Sequence, residues 1–159
     1  MNPGVLIVLL ILAVILAMVL LLRKKRVFAG TSTTVEEIPL ILERLQDTGT
    51  DGHFAAFMFF PPGRSSPKEA VNLQFSLEQF RLGLDWVLLA PSNLEGKQRF
   101  TQFATGRGHT VAEREVNNVT YLRVEDGDLA ALGQAVISEL YALPPGTPLD
   151  LISEGFAWP

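Results

Sequence analysis

The stretch Val71-Asn-Leu-Gln-Phe-Ser-Leu77 alternates without a break: Val71, Leu73, Phe75 and Leu77 fall on one side, Asn72, Gln74 and Ser76 on the other. A period of two is the pleat of a β-strand, and clean alternation means that only one face of the sheet is buried in a core. A sheet covered by helices on both faces reads instead as a continuous apolar run. The sheet therefore turns one face to solvent or to a partner, and Asn72, Gln74 and Ser76 are the candidate partner-binding residues on it.

The other elements group around this strand. Thr33 with Glu36, or Thr34 with Glu37, has capping-box spacing ahead of Val35, Ile38, Leu42 and Leu45, which predicts a helix at about 36–47, opened or kinked by Pro39. His53–Phe60 is apolar on both faces and reads as a central strand ended by Pro61-Pro62-Gly63. Leu84–Ala90 reads as a third strand. Ser92 and Glu95 form another capping box, opening a helix with Leu94, Phe100, Phe103 and Ala104 inward. Strands at about 109–115 and 118–124 are joined through Asn117-Asn118, and Asp128 starts a last helix with Leu129, Leu132, Val136, Ile137 and Leu140 on its apolar stripe. The order is α-β-β-β-α-β-β-α. Short turns between neighbouring strands imply a mainly antiparallel five-stranded sheet with helices on one face, an α+β domain.

Ahead of this domain, Val5 to Leu22 are eighteen consecutive apolar residues, about 27 Å of helix, which matches the hydrocarbon thickness of a bilayer. Arg23, Lys24, Lys25 and Arg26 follow directly. The charges lie on the wrong side of the apolar run for a signal peptide, and Val27-Phe-Ala29 is a poor cleavage site. The expectation is a single transmembrane helix over 4–22, a basic stop and linker over 23–33, and a domain over 34–159. Positive charges stay inside, so the expected location is the inner (cytoplasmic) membrane, N-terminus out and domain in the cytoplasm.

Four of the 13 basic residues sit at 23–26 and all 17 acidic ones follow, so the part after residue 26 carries 9 − 17 = −8. Phosphate backbones are held by clustered Lys and Arg, so this balance argues against nucleic acid. There is no cysteine, and His53 and His109, the two histidines, lack metalloprotease spacing. No phosphate loop, nucleophile elbow or calcium loop occurs: Thr105-Gly-Arg-Gly-His-Thr110 reads as a helix end and Glu125-Asp-Gly-Asp128 as a helix start. No catalytic residue, metal or cofactor is expected. Trp86 and the phenylalanines read as core, and Glu113-Arg-Glu115 as a charged edge that discourages chance strand pairing. In the tail Thr147–Pro159, Leu149, Leu151, Ile152, Phe156 and Trp158 make a free end implausible; Phe156 and Trp158 pack on the domain or bind a partner.

The element order, the acidity and the ending Asn117–Tyr141, a hairpin followed by a helix, resemble the type III secretion chaperone fold shared with YbjN-type proteins, over residues 34–143. The resemblance implies dimerisation and the holding of client peptide segments along sheet edges and apolar grooves, and it brings no catalytic residue. The functional expectation is a membrane-anchored, non-enzymatic protein- or peptide-binding module facing the cytoplasm. The alternative is a single-span accessory subunit of a larger membrane complex, with the span as its main contact. An unrecognised enzyme is the third reading, one that a cleft with convergent polar groups would favour.

Overall fold

The computed structural model describes residues 30–158. In chain order the elements are β1 (Thr31–Thr33), α1 (Ile38–Thr48), β2 (Phe54–Phe59), β3 (Val71–Glu78), β4 (Arg81–Val87), α2 (Pro91–Gly106), β5 (Ala112–Val116), β6 (Val119–Val124), α3 (Leu129–Ala135) and β7 (Leu149–Glu154). A wider helical turn, Val136–Leu140, prolongs α3. All pairings are antiparallel, in the spatial order β1-β7-β2-β3-β4-β6-β5. The molecule is α+β.

Among the described residues the sheet has seven strands, not the five expected, and both additions come from segments read as linker and tail. β1 is three residues long, too short to carry a period. β7 does alternate, with Leu149 and Leu151 buried and Asp150 exposed, and it inserts between β1 and β2. The apolar tail is thus an inner strand: Phe57 stands opposite Leu151, and Thr33 opposite Leu149. Phe156 and Trp158 then pack, half-buried, against the core.

The membrane expectation is corrected as well. Among the described residues no helix is long and apolar enough to cross a membrane. The run 4–22 and the tetrad Arg23, Lys24, Lys25, Arg26, on which the transmembrane helix, the single-pass inner-membrane location and the cytoplasmic orientation rested, lie outside them. Nothing in the described residues supports that placement.

The core lies between one sheet face and the helices. Leu73, Phe75, Leu84, Trp86 and Val124 come from the strands, and Ile38, Ile41, Leu45, Phe100, Leu132 and Ile137 from the helical layer. α1 opens as its sequence suggests: the Glu37 carboxylate accepts from the Thr34 N–H at 3.0 Å and from the Thr33 hydroxyl at 2.7 Å, and Pro39 sits in the first turn, where its missing N–H costs nothing. α2 opens differently. It starts at Pro91 with Ala90 as its N-cap, and the Ser92 hydroxyl points away to the Lys68 carbonyl, 3.3 Å. Leu94 is 54 % exposed rather than inward; Asn93, Gly96, Phe100 and Ala104 take the buried face. Asn93 clamps the start of β3, with its amide donating to the Asn72 carbonyl at 2.7 Å and its oxygen accepting from the Asn72 N–H at 3.0 Å.

β4 begins at Arg81, three residues before the expected start, because β3 and β4 are joined by a two-residue turn, Gln79-Phe80. Both residues have positive φ (53° and 61°), a conformation that costs a side chain about 1–2 kcal/mol and leaves no Gly or Asn signal to read. The Asp51 carboxylate accepts from the Gln79 N–H and holds the turn. The β5–β6 turn does carry its signal, Asn117 and Asn118, at φ 51° and 63°.

Because Leu151 is 2 % exposed in an inner strand, Leu151→Ala is expected to lower unfolding free energy by about 2–4 kcal/mol. Trp158→Ala, on a half-buried ring at the chain end, is expected to cost less. Urea denaturation of the two variants checks the order; equal costs would place the tail outside the core.

Candidate functional site

The sheet face opposite the helices carries the polar half of each strand. Register places Asn72, Gln74, Ser76 and Glu78 of β3 beside Ala56 and Met58 on one flank and Asp85, Gly83 and Arg81 on the other. Arg123 and Tyr121 follow on β6, then Ala112, Arg114 and Val116 on β5. In the middle of this helix-free face the Arg123 side chain is fully buried.

Its burial has a simple geometric cause. A Cβ on Gly83 would stand 2.2 Å from the guanidinium carbon of Arg123, so the guanidinium lies flat on the backbone of β4 in the space where a side chain would be. Every edge of the cation is occupied. Nη1 donates to Asp85 at 2.7 Å and to the Ser76 hydroxyl at 2.9 Å, Nε to Glu125 at 2.7 Å, and Nη2 to the Arg81 carbonyl at 3.1 Å. The Ser76 hydroxyl in turn donates to Asp85 at 2.5 Å. An outer ring closes over this centre: Tyr121 donates its hydroxyl to Glu78 at 2.7 Å, and Arg114 bridges Glu78 (3.1 Å) and Glu125 (3.0 Å). Arg81, Arg114 and Arg123 balance Glu78, Asp85 and Glu125, so the cluster is neutral when all six are ionised.

The titration of these groups reports their surroundings. Burial pushes the Asp85 carboxyl up to about 6, against the pull of Arg123 and the Ser76 hydroxyl. Burial, and then the Glu78 carboxylate, push the Tyr121 phenol up to about 12. The hydrogen bond from Arg123 holds Glu125 below the usual carboxylate range. Burial works against the charge on Arg123, but Asp85 and Glu125 outweigh it and raise its pKa further.

A cleft of about 300 Å³ opens beside the network. Its floor is Gln74, Ser76, Asp85 and Tyr121, and its walls include Val87, Leu89, Val116 and Val119. Leu89 is 67 % and Val116 52 % exposed. The Gln74 side chain makes no hydrogen bond among the described residues, which leaves an amide donor and a carbonyl acceptor free at the floor. Alongside runs β5, which among the described residues is an edge strand with one side unpaired.

Of the residues singled out from sequence, Gln74 and Ser76 meet in this cleft. Ser76 is a buried member of the network rather than a contact surface. Asn72 stands nearby on the same face, its side-chain oxygen buried with no partner in the described structure. Phe156 and Trp158 lie elsewhere, packed on the core, with Trp158 beside Leu40 and Arg44 of α1. The tetrad 23–26 is outside the described residues. His53 bonds to Thr50 and His109 to Asp126, so neither histidine joins the site. Among the described residues no cluster of metal-ligating side chains occurs.

Arg123, Asp85, Glu78, Tyr121 and Val116 were not singled out from sequence. Two carried a signal: Asp85 in Leu-Asp-Trp-Val and Arg123 in Tyr-Leu-Arg-Val are lone charges inside apolar strands. Buried charges are rare unless paired, so each implies the other. No family model, curated protein or solved structure matches the chain.

The raised Asp85 gives a pH test. A carboxyl that holds its proton more tightly folded than unfolded contributes stability below its ordinary value of 3.8, and the contribution disappears as pH climbs to about 6. The unfolding free energy of the wild type minus that of Asp85→Asn is therefore expected to fall between about pH 4 and 6 and to be flat above. Denaturation in a pH series measures it; a difference that rises over that range contradicts the burial of Asp85.

Proposed function

We propose that this domain is a non-enzymatic peptide-binding module and that its binding site is the cleft on the helix-free face. The observation that carries the reading is the unbonded Gln74 carboxamide on a floor whose other polar groups are already paired, below the apolar walls Val87, Leu89, Val116 and Val119. A carboxamide offers the donor and acceptor that a peptide backbone needs, and the walls take an apolar side chain. A floor pre-arranged by ion pairs loses little entropy on binding. The partner is an extended segment with one apolar anchor residue, lying beside β5 so that its backbone can add to that edge. The secretion-chaperone resemblance of the element order agrees with this mode, because such proteins hold client segments along sheet edges and in apolar grooves.

An array of extended peptides probed with the full-length protein tests the reading. Peptides with a Leu, Ile, Val or Phe anchor are expected to bind. Val116→Asp and Gln74→Ala are each expected to weaken that binding by about tenfold, through the lost apolar wall and the lost hydrogen bonds, while Trp158→Ala leaves it unchanged. Binding that is indifferent to Val116→Asp, or an array with no anchored binder, overturns it.

A further inference from the structure

A second cleft, of about 500 Å³, lies on the helix side of the domain, between the β2–β3 loop, the first turns of α2 and the end of the helical layer at Tyr141. Its volume is in the range of small-molecule sites, and its chemistry differs from that of the open face. Two guanidiniums, Arg64 and Arg99, line it together with the Tyr141 side chain. Tyr141 is only 8 % exposed, and its hydroxyl has no hydrogen-bond partner among the described residues. The ring is buried while the hydroxyl reaches the solvent of the cleft, where a ligand oxygen can replace water as its partner.

The phenol is held firmly in place. Its ring stacks on Trp86 with centroids 6.1 Å apart and meets Phe59 edge-on at 5.3 Å. The hydroxyl lies over Gly96, where a Cβ would approach it to 2.9 Å, so only glycine lets the phenol sit against α2. Arg99 places its guanidinium 5.5 Å from the ring centroid and donates to the Leu140 carbonyl at 2.8 Å. That uses one edge of a planar group with five donors. Arg64 has only a loose contact with Glu95, 3.7 Å between side chains that are 44 % and 70 % exposed, a pair that contributes little. Burial raises the Tyr141 phenol, while the positive charges of Arg99 and Arg64 pull it down; both cations are near enough to act on this site.

Two forked cations and a free hydroxyl donor around one cleft make a receptor for an anion. We propose that this cleft binds the carboxylate or phosphate group of a small organic molecule, with Arg64 and Arg99 holding the charge and the Tyr141 hydroxyl donating to it. The volume exceeds that of a bare oxyanion, so the group belongs to a larger molecule, whose body lies against Pro61, Pro62 and Leu140. Glu95 lines the cleft as the internal anion that the ligand displaces from Arg64. The site is independent of the peptide cleft and shares no residue with it.

The test is an NMR titration of the full-length protein with phenyl phosphate and, separately, benzoate, at constant ionic strength set with chloride. Saturable shifts of the Gly96 amide and the Arg99 side-chain Nε–H with millimolar or tighter affinity are expected for at least one probe, and the stronger of the two tells phosphate from carboxylate. Arg64→Gln, on an exposed loop, is expected to weaken binding by about tenfold and Tyr141→Phe by several-fold, with both variants as folded as the wild type. Glu95→Gln is expected to tighten it. Shifts that chloride reproduces, affinity unchanged in Arg64→Gln, or no saturation with either probe would overturn the proposal.

Discussion

The uncovered face of this sheet is organised around one buried cation. Arg123 reaches across β4 over the bare backbone of Gly83 and ties together Ser76 of β3, Asp85 of β4 and Glu125 beyond the end of β6. A guanidinium removed from water carries a penalty of several kcal/mol, which only close, multiple pairing offsets. That requirement explains the residues around it. Asp85 and Glu125 supply the countercharges, Ser76 fills the remaining acceptor position, Gly83 provides the room, and Glu78, Tyr121 and Arg114 close the ring above. Loss of Asp85 would leave the buried guanidinium short of a countercharge, and loss of Arg123 would leave the buried Asp85 carboxylate unpaired.

The two sheet faces therefore hold their shape by different means. The helix side is held by apolar packing, from Ile38 and Ile41 on α1 to Trp86, which stacks on Phe100 with ring centroids 4.8 Å apart. Among the described residues the other side has no helical layer, and the polar network replaces it across β3, β4, β6 and β5. A face stiffened this way presents fixed hydrogen-bonding groups and apolar walls without rearrangement, which is the property a binding surface needs. The two clefts follow the same division. The one on the open face has a neutral, satisfied floor with a single free carboxamide, and the one on the helix side has cations in excess.

Much of the architecture was legible where period or turn chemistry is strong. The alternation at 71–77 identified a one-sided sheet, Asn117-Asn118 marked a hairpin, and Asp128 marked a helix start, its carboxylate accepting from the Ala131 N–H at 2.9 Å. Most of what escaped had no local signal or a misleading one; β7 is the exception, since Leu149, Asp150 and Leu151 alternate within a segment that reads as a tail. β1 is too short for a period, and the Gln79-Phe80 turn uses residues that disfavour positive φ. The Ser92 box is overridden by a tertiary bond to Lys68. Gly96, a residue that weakens a helix by about 1 kcal/mol relative to Ala, makes room for Trp86 and Tyr141 against α2. The site was half legible: parity gave Gln74 and Ser76 the right face, but Arg123 and Asp85 become a pair only once β4 and β6 are neighbours, which is a matter of long-range pairing.

A double-mutant cycle between Arg123 and Asp85 measures how far the two buried charges depend on each other. Arg123→Met and Asp85→Leu are combined, and unfolding free energies are measured at neutral pH. If the buried pair organises the face, each single change strands a charge and costs about 3–5 kcal/mol, while the double variant costs much less than the sum, a coupling of about 2 kcal/mol or more. Additivity within about 0.5 kcal/mol would mean instead that the two side chains neither depend on each other nor hold the open face together.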